Sequence, residues 1–158
     1  MSKPLPKSAA LDPKSVEPRR GTLYPDRFKP LVAGREKRAL GNALGLVNFG
    51  VNLVKLEPGA QSALRHWHSQ QDEFVWMLEG ELTLVNDAGA EILKPGMCAG
   101  FPKGKADGHH LVNKSGKDAW YLEVGDRSAG DAVVYPDDDM GAVFVAAYKF
   151  VKKDGSPL

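Results

Sequence analysis

Three side chains that can bind a metal ion lie close together near the middle of the sequence: His66, His68 and Glu73. They belong to a stretch that reads GAQSALRHWHSQQDEFVWMLEG. Because side chains alternate between the two faces of a β-strand, the imidazoles of His66 and His68 point the same way. Glu73 follows after room for a short turn, at the start of the next strand-like run. Two imidazoles and one carboxylate on neighbouring strands suit a divalent transition metal.

A second segment with histidines, GMCAGFPKGKADGHHLVN at residues 96–113, can supply a fourth ligand. Pro102 and Gly104 favour a turn there, and His109 and His110 open the next apolar run. Adjacent strand residues face opposite ways, so only one of these two histidines is expected to reach the site. A single His-x-His pair is most often coincidental. The prediction of a metal site therefore depends on the two segments together, which hold all 4 histidines of the chain.

These segments resemble the two sequence motifs of the cupin family. The first motif is matched by Gly59, His66, His68, Glu73 and Gly80, with 6 residues instead of five after the first glycine. The resemblance covers roughly residues 40–127. It implies a jelly-roll barrel, also called a double-stranded β-helix, with a metal ion inside.

The second cupin motif decides between the two adjacent histidines. It is matched by Gly96, Pro102, Gly104 and Asn113, with 4 residues rather than two between Gly104 and His109. The gap of 3 residues from His109 to Asn113 is that of the motif. The resemblance thus implies His109 as the fourth ligand and His110 as a residue outside the site. The longer gap before His109 leaves His110 as the alternative.

Composition indicates one globular domain. The chain has 158 residues, enough for a sizeable core, and its 21 basic and 20 acidic residues argue against a nucleic-acid partner. Neither a membrane-spanning apolar run nor an apolar signal core is present, so we expect no membrane partner and a cytoplasmic protein. The single cysteine, Cys98, excludes an internal disulfide and is expected to be a small core residue.

The N-terminal part differs from the rest. Residues 1–30 contain six of the prolines, so we interpret them as a partly disordered arm that precedes a single domain over residues 31–158. The first dozen residues are expected to be disordered. The arm from Val16 on is expected to lie across a sheet or on a second subunit. Residues 35–40 are expected to form one helical turn or a loop.

Short strand-like runs follow one another from about Leu44 onward, separated by Gly-rich and Pro-rich turns. Even spacing of this kind indicates an all-β sandwich or barrel. The triple acid in residues 135–140 lacks the ligand spacing of an EF-hand and is interpreted as a solvated loop. The main runs are 63–68, 72–79, 81–87, 90–94, 97–101, 109–114, 118–125 and 132–135.

The ligand set limits the metal without identifying it. Three neutral imidazoles and a carboxylate leave two positions open on an octahedral ion, and Mn, Fe, Co, Ni and Zn all accept these ligands. The metal would act as a Lewis acid, activate bound water or orient a substrate. Glu73 can instead act as a base, because an apolar pocket raises the pKa of a carboxyl group.

The sequence offers few candidate site residues besides the metal ligands. Tyr121 is a candidate proton donor. Trp76 and Trp120 are candidates for an apolar pocket wall, with plain core packing as the alternative. We expect Asn113 to bond to the backbone. We also expect Lys55, Arg65 and Lys105 to be solvated charges rather than ligands for an anion.

The resemblance implies a function only in outline. The chain is similar to small single-domain cupins labelled as sugar-phosphate isomerases, so one hypothesis is a metal-dependent isomerase or epimerase, or a dioxygenase, acting on a small polar substrate. The alternative is a non-catalytic cupin that binds, senses or stores a small ligand. Single-domain cupins are commonly homodimers, so a homodimer is expected.

Overall fold

The computed structural model describes residues 8–144 and 147–158, and its regular structure is mainly strand. The disorder expected for the first dozen residues falls partly on residues 1–7, which lie outside the described residues. The strands are β1 Arg35–Ala39, β2 Phe49–Leu56, β3 Trp67–His68, β4 Glu73–Glu79, β5 Leu82–Asn86, β6 Gly89–Leu93, β7 Cys98–Phe101, β8 His110–Val112, β9 Ala119–Asp126, β10 Ala132–Tyr135, β11 Met140–Phe144 and β12 Tyr148–Val151. Helical segments are short: α1 Leu40–Ala43 and the 3₁₀ segments Pro13–Ser15 and Asp26–Val32.

Three antiparallel sheets make up the fold. Their strand orders are β1-β2-β9-β4-β7, β12-β11-β10-β3 and β6-β5-β8. Strand β9 lies between β2 and β4, pairing Leu122 with Leu53 and Glu123 with Val75. The chain thus returns over a long distance to join strands that come early in the sequence. This is the all-β jelly-roll architecture expected from the sequence.

Strand β1 differs from its prediction. Residues 35–39 form a strand and not a helical turn or a loop. The strand pairs along its whole length with β2, from Arg35 opposite Leu56 to Ala39 opposite Asn52. Within it Glu36 is 5% exposed and binds Arg20 and Arg38. Local sequence carried little strand signal here, so the partner strand and these ion pairs determine the conformation.

The first core lies between the five-stranded and the three-stranded sheets. Its members include Val54 and Leu56 from β2, Met77 from β4 and Leu82 from β5, and each of these four is less than 2% exposed. Tyr121 from β9 belongs to the same core and is fully buried. The alternation of apolar residues along each strand therefore places one face of both sheets inward.

The second core joins the N-terminal arm to the four-stranded sheet. Tyr24 and Phe28 of the arm, with Val32 just after it, pack with Tyr135 of β10 and Met140 of β11. A backbone bridge between Arg19 and Lys37 adds the arm to the edge of β1. In this structure the arm therefore lies on the sheets of its own chain.

The turn between β4 and β5 requires glycine. Gly80 has a φ of 72°, in the left-handed region that residues with a Cβ rarely adopt. A Cβ at this position would lie 2.8 Å from the carbonyl oxygen of Asp118. Backbone geometry and close packing thus both exclude a side chain at this motif glycine.

Cys98, on the outer face of the five-stranded sheet, differs from its prediction. Cys98 is exposed and is not a core residue, because it lies on the edge strand β7 with its side chain on the open face. Trp76, its partner on β4, is 48% exposed on the same face. Among the described residues, no helix is both long and apolar enough to span a membrane.

Candidate metal centre

Strand pairing brings the two histidine segments together. His68 lies on β3 with His66 just before it, and Glu73 begins β4. His66 and His109 form a backbone bridge, in which the amide of His66 donates to the carbonyl of His109 at 3.2 Å and the reverse bond is 2.9 Å. Residues 43 positions apart in the sequence thereby become neighbours through an isolated β-bridge.

All three imidazoles direct the Nε2 atom toward the Glu73 carboxylate. His109 Nε2 lies 2.8 Å and His66 Nε2 3.4 Å from Glu73 Oε2, and His68 Nε2 lies 3.5 Å from Oε1. One ligand atom each from His66, His68 and Glu73 can be chosen so that all lie within 4.8 Å of one another. These four side chains are the ones predicted as metal ligands.

The other ring nitrogens are held by hydrogen-bond acceptors. Nδ1 of His66 lies 2.8 Å from the carbonyl of Leu64, and Nδ1 of His68 lies 2.6 Å from Asp131 Oδ2. An acceptor at Nδ1 places the proton there and leaves the Nε2 lone pair free. Nε2 lone pairs and an ionised carboxylate repel each other unless a proton or a metal cation lies between them. The donor set therefore fits a divalent metal ion.

Asp131 is the site residue that the sequence did not reveal. It is fully buried, and besides His68 it accepts a hydrogen bond of 2.9 Å from the Gln70 amide. The hydroxyl of Tyr148 lies 2.8 Å from Asp131 Oδ2 and 3.0 Å from Gln71 Oε1. A lone aspartate after a glycine turn carries no ligand spacing, so no pattern in the sequence could have marked it.

These contacts determine the protonation states without a metal. Burial lowers the pKa of His68, but Glu73 and Asp131 outweigh it and raise that pKa to about 9. Burial raises the pKa of Glu73, yet the three histidines hold it well below its usual value. In the metal-free protein Glu73 is therefore ionised and His68 carries a proton near neutral pH. A metal ion would displace that proton.

The two adjacent histidines have different surroundings. His109 stacks on Phe101 with ring centroids 3.6 Å apart and faces Glu73, whereas His110 Nδ1 lies 3.0 Å from the carbonyl of Ala63. Burial lowers the pKa of His110. Only His109 contacts the carboxylate at the centre of the cluster. The geometry is that expected if His109 is the ligand and His110 is not.

A cavity of about 800 Å³ opens onto the cluster. Its wall includes Arg35 and the phenols of Tyr24, Tyr121, Tyr135 and Tyr148. The Tyr121 hydroxyl has no hydrogen-bond partner among the described residues, and Ser62 lies near it without a bond of ordinary geometry. Burial raises the pKa of Tyr121 well above its usual value, so the phenol stays protonated and can donate to a bound ligand.

The two tryptophans proposed for the pocket wall are not part of it. Neither Trp76 nor Trp120 lines the cavity. Trp76 points outward from the sheet, and Trp120 lies under the ammonium group of Lys14, 5.4 Å from the ring centroid. Period-2 alternation along β4 and β9 places them on the face away from the core. Asn113 is buried, and its side-chain amide donates to the Leu56 carbonyl, as expected.

The three basic residues considered for anion binding are paired with acids. Lys55 lies within 3.8 Å of Glu36, and Lys105 lies 3.6 Å from Asp107. Arg65 binds both oxygens of Asp137, at 2.8 and 2.7 Å. Arg65 also binds Asp87, so it ties the acidic loop after β10 to the turn after β5. None of the three is a free cation for a ligand.

Comparison with known proteins agrees with the fold. The sequence model of the Cupin domain matches residues 52–125. A cupin-superfamily protein from Silicibacter pomeroyi DSS-3, described as a sugar phosphate isomerase, is 48% identical with a TM-score of 0.91 over 94% of this chain and 96% of that one. The chain therefore belongs to the cupin superfamily.

Two further structures are similar. A protein from Acidithiobacillus ferrooxidans, provisionally named a sugar phosphate isomerase, is 26% identical with a TM-score of 0.80 over 95% of this chain and 96% of that one. The polyketide cyclase RemF from Streptomyces resistomycificus is 22% identical with a TM-score of 0.62 over 74% and 78%, a likeness of fold alone. Among curated proteins no sequence matches this chain.

Proposed function

We propose that this protein is a metal-dependent isomerase that acts on a small sugar phosphate. The observation that carries the proposal is the shared cavity, in which a His/Glu cluster and the unpaired Tyr121 hydroxyl both lie. The 48% identical relative from Silicibacter pomeroyi, described as a sugar phosphate isomerase, supports the choice of substrate. Pockets of this size typically hold small-molecule ligands.

His66, His68, Glu73 and His109 would hold the metal. A divalent ion bound there supplies Lewis-acid polarisation of a substrate oxygen. Asp131 keeps the His68 ring in one tautomer, and the Leu64 carbonyl does the same for His66. The residues of this chain thus prepare the site through fixed ring orientations.

Proton transfer requires an acceptor and a donor. Isomerisation of an aldose to a ketose moves one proton from C2 to C1 and another from the C2 hydroxyl to the C1 oxygen, so that the carbonyl shifts from C1 to C2. Glu73 is ionised, and the carboxylate oxygen that does not bind the metal can accept a proton. Tyr121 is protonated and can donate a hydrogen bond to the carbonyl oxygen. The buried hydroxyl without a partner costs about 1–3 kcal/mol, which an accepting substrate oxygen would recover.

The test is isomerisation in D₂O. Protein loaded in turn with Mn, Fe, Co, Ni or Zn would be mixed with a panel of aldose and ketose phosphates and followed by proton NMR. We expect interconversion with deuterium appearing at C1 or C2 for at least one substrate. His66→Ala should lose both bound metal and turnover, whereas Arg127→Gln, an exposed change just after β9 at a residue that does not line the cavity, should retain both.

A non-catalytic binding protein is the second candidate. It is favoured by the shortage of bases in the cavity, since Glu123, the other carboxylate of the described lining, is bound by Lys37 at 2.8 Å and by Asn52 at 3.0 Å. Saturable binding of a sugar phosphate without exchange or product, for every metal, would support this candidate and contradict the isomerase.

A further inference from the structure

We propose that Arg35 forms an anion-binding subsite in the cavity wall and binds the phosphate group of the substrate. This deepens the proposed function and depends on it only for the reacting end of the molecule. The contacts of Arg35 are with backbone of the arm and of the loop before β3, so the subsite lies outside the metal cluster.

Arg35 has no acidic partner, unlike Lys37 and Arg20 in the same cavity wall. Its guanidinium donates to the carbonyls of Ser62 and, at 3.4 Å, Gly21, and within the described part of the chain no carboxylate lies within ion-pair distance of it. In contrast, Lys37 is neutralised by Glu123 at 2.8 Å. Arg20, also in the cavity wall, binds Glu36. The charge of Arg35 therefore remains available to a ligand.

The position of Arg35 is fixed before any ligand binds. It begins β1 and pairs with Leu56 of β2, and its side chain is anchored by the two carbonyls. A guanidinium has five N–H donors, so several remain free after these two bonds. An arginine held in place can bind two oxygens of a phosphate at once, which a mobile lysine does less well.

The charges of Arg35 and Glu73 both affect the pKa of two phenols in the cavity wall. Burial raises the pKa of Tyr121, the Glu123 and Glu73 charges raise it further, and the Arg35 charge lowers it. Tyr24 is likewise buried with a raised pKa, and Arg35 and Glu73 affect it in opposite directions. The two phenols thus lie within the fields of both charges. A ligand that bound Arg35 through an anionic group and reached the cluster with its other end would lie beside these hydroxyls.

The experiment measures inorganic phosphate binding by calorimetry to the metal-free protein, which removes direct coordination of phosphate to a metal. We expect wild type to bind phosphate, Arg35→Gln to bind it at least tenfold more weakly, and Arg127→Gln to match wild type. Arg127 is the matched control because it also donates to a backbone carbonyl, that of Leu46, but is not part of the cavity wall. Equal binding by wild type and Arg35→Gln, or no binding by wild type, would overturn the proposal.

A second measurement needs no variant and covers the case in which Arg35→Gln does not fold. Phenylglyoxal labels accessible arginines, and mass spectrometry locates the label. Phosphate should protect Arg35 and leave Arg127 labelled; equal labelling of Arg35 with and without phosphate would disprove the subsite. If phosphate binding depends on Arg35 but no sugar phosphate is isomerised, the anion subsite stands and the isomerase function fails.

Discussion

Asp131 shows how a single buried residue can control the metal centre without being a ligand. Its carboxylate lies 2.6 Å from His68 Nδ1 and also accepts a hydrogen bond from the Gln70 amide. The His68 ring is therefore fixed through the nitrogen that does not face Glu73. Partners of this kind raise the basicity of the ligand and fix its tautomer. Metal affinity should therefore depend on Asp131 although the aspartate is not one of the four predicted ligands.

Asp131→Asn is expected to lower metal affinity by about 10- to 100-fold, because the amide cannot both accept from His68 and keep its other bonds as an anion does. Competition with a chromogenic chelator measures the change. Ser69→Ala is the control, since the Ser69 hydroxyl lies 3.4 Å from the other oxygen of Asp131 and does not touch His68. Unchanged affinity in Asp131→Asn would mean that the contact does not tune the ligand.

Tyr121→Phe separates function from stability. Because the hydroxyl is buried without a partner, its removal should leave the free energy of unfolding unchanged or raise it by up to about 1 kcal/mol. If the phenol donates to the substrate, kcat should fall by about 100-fold or more at unchanged metal content. Denaturant unfolding and the isomerase assay check the two parts. A kcat equal to wild type would remove Tyr121 from the mechanism.

The N-terminal arm is an element with a structural role and a place at the cavity. Tyr24 and Phe28 insert into the second core, while Gly21 to Leu23 border the cavity next to Arg35. The arm forms short 3₁₀ segments and a backbone bridge instead of regular strands, because its prolines lack the amide hydrogen that a strand requires. Its buried aromatic residues should therefore carry most of its binding energy.

Phe28→Ala should destabilise the protein by about 3 kcal/mol, since it removes a large side chain that is only 9% exposed in the second core. Leu23→Ala, in the same arm but 78% exposed, should change the free energy of unfolding by less than about 0.5 kcal/mol. Urea unfolding compares the two. Similar small effects for both would show that the arm does not pack in solution as it does here.

Gly80→Ala should destabilise the fold by more than about 1 kcal/mol, because a Cβ would both occupy a left-handed φ of 72° and contact the Asp118 carbonyl at 2.8 Å. Gly116→Ala is the matched control, with no atom within 4 Å of the added Cβ. Thermal unfolding of the two variants measures the difference. Equal melting temperatures would argue against a tight β4–β5 turn.

At the scale of the whole molecule, the metal ion should act as a link between sheets. His66 and His68 belong to the segment of β3, Glu73 to β4 and His109 to the residue before β8, so the ligands come from elements of all three sheets. An ion bound by all four would hold these sheets together. Metal binding should therefore raise global stability as well as complete the site.

The expected homodimer stays a prediction.

Chelation is expected to lower the melting temperature of wild type, and one divalent ion should restore it. At free metal 100-fold above the Kd the stabilisation is about 2.7 kcal/mol. His66→Ala should show no metal-dependent shift, whereas His110→Ala, whose Nδ1 faces the Ala63 carbonyl, should keep it. Differential scanning calorimetry provides the test. A metal response that is lost in His110→Ala and kept in a His109→Ala variant would reverse the assignment of the fourth ligand.

The sequence by itself determined what depends on local pattern. Alternating apolar residues and Gly-rich turns predicted the strands β4 to β10 closely, although only Trp67–His68 of the run 63–68 is strand. The spacing of His66 and His68 predicted that both imidazoles point the same way, and both direct Nε2 toward Glu73. These features follow from strand pleating and turn geometry, which neighbouring residues fix among themselves.

Only the tertiary structure decided what depends on distant residues. Strand β1 exists because β2 pairs with it, Cys98 is exposed because β7 is an edge, and Asp131 reaches His68 across 63 positions of the chain. Arg35 is left without an acid because the nearby carboxylates bind other cations. Such contacts join residues with no periodic relation in the sequence, so no local pattern could show them, and the chain's closure into sheets creates them.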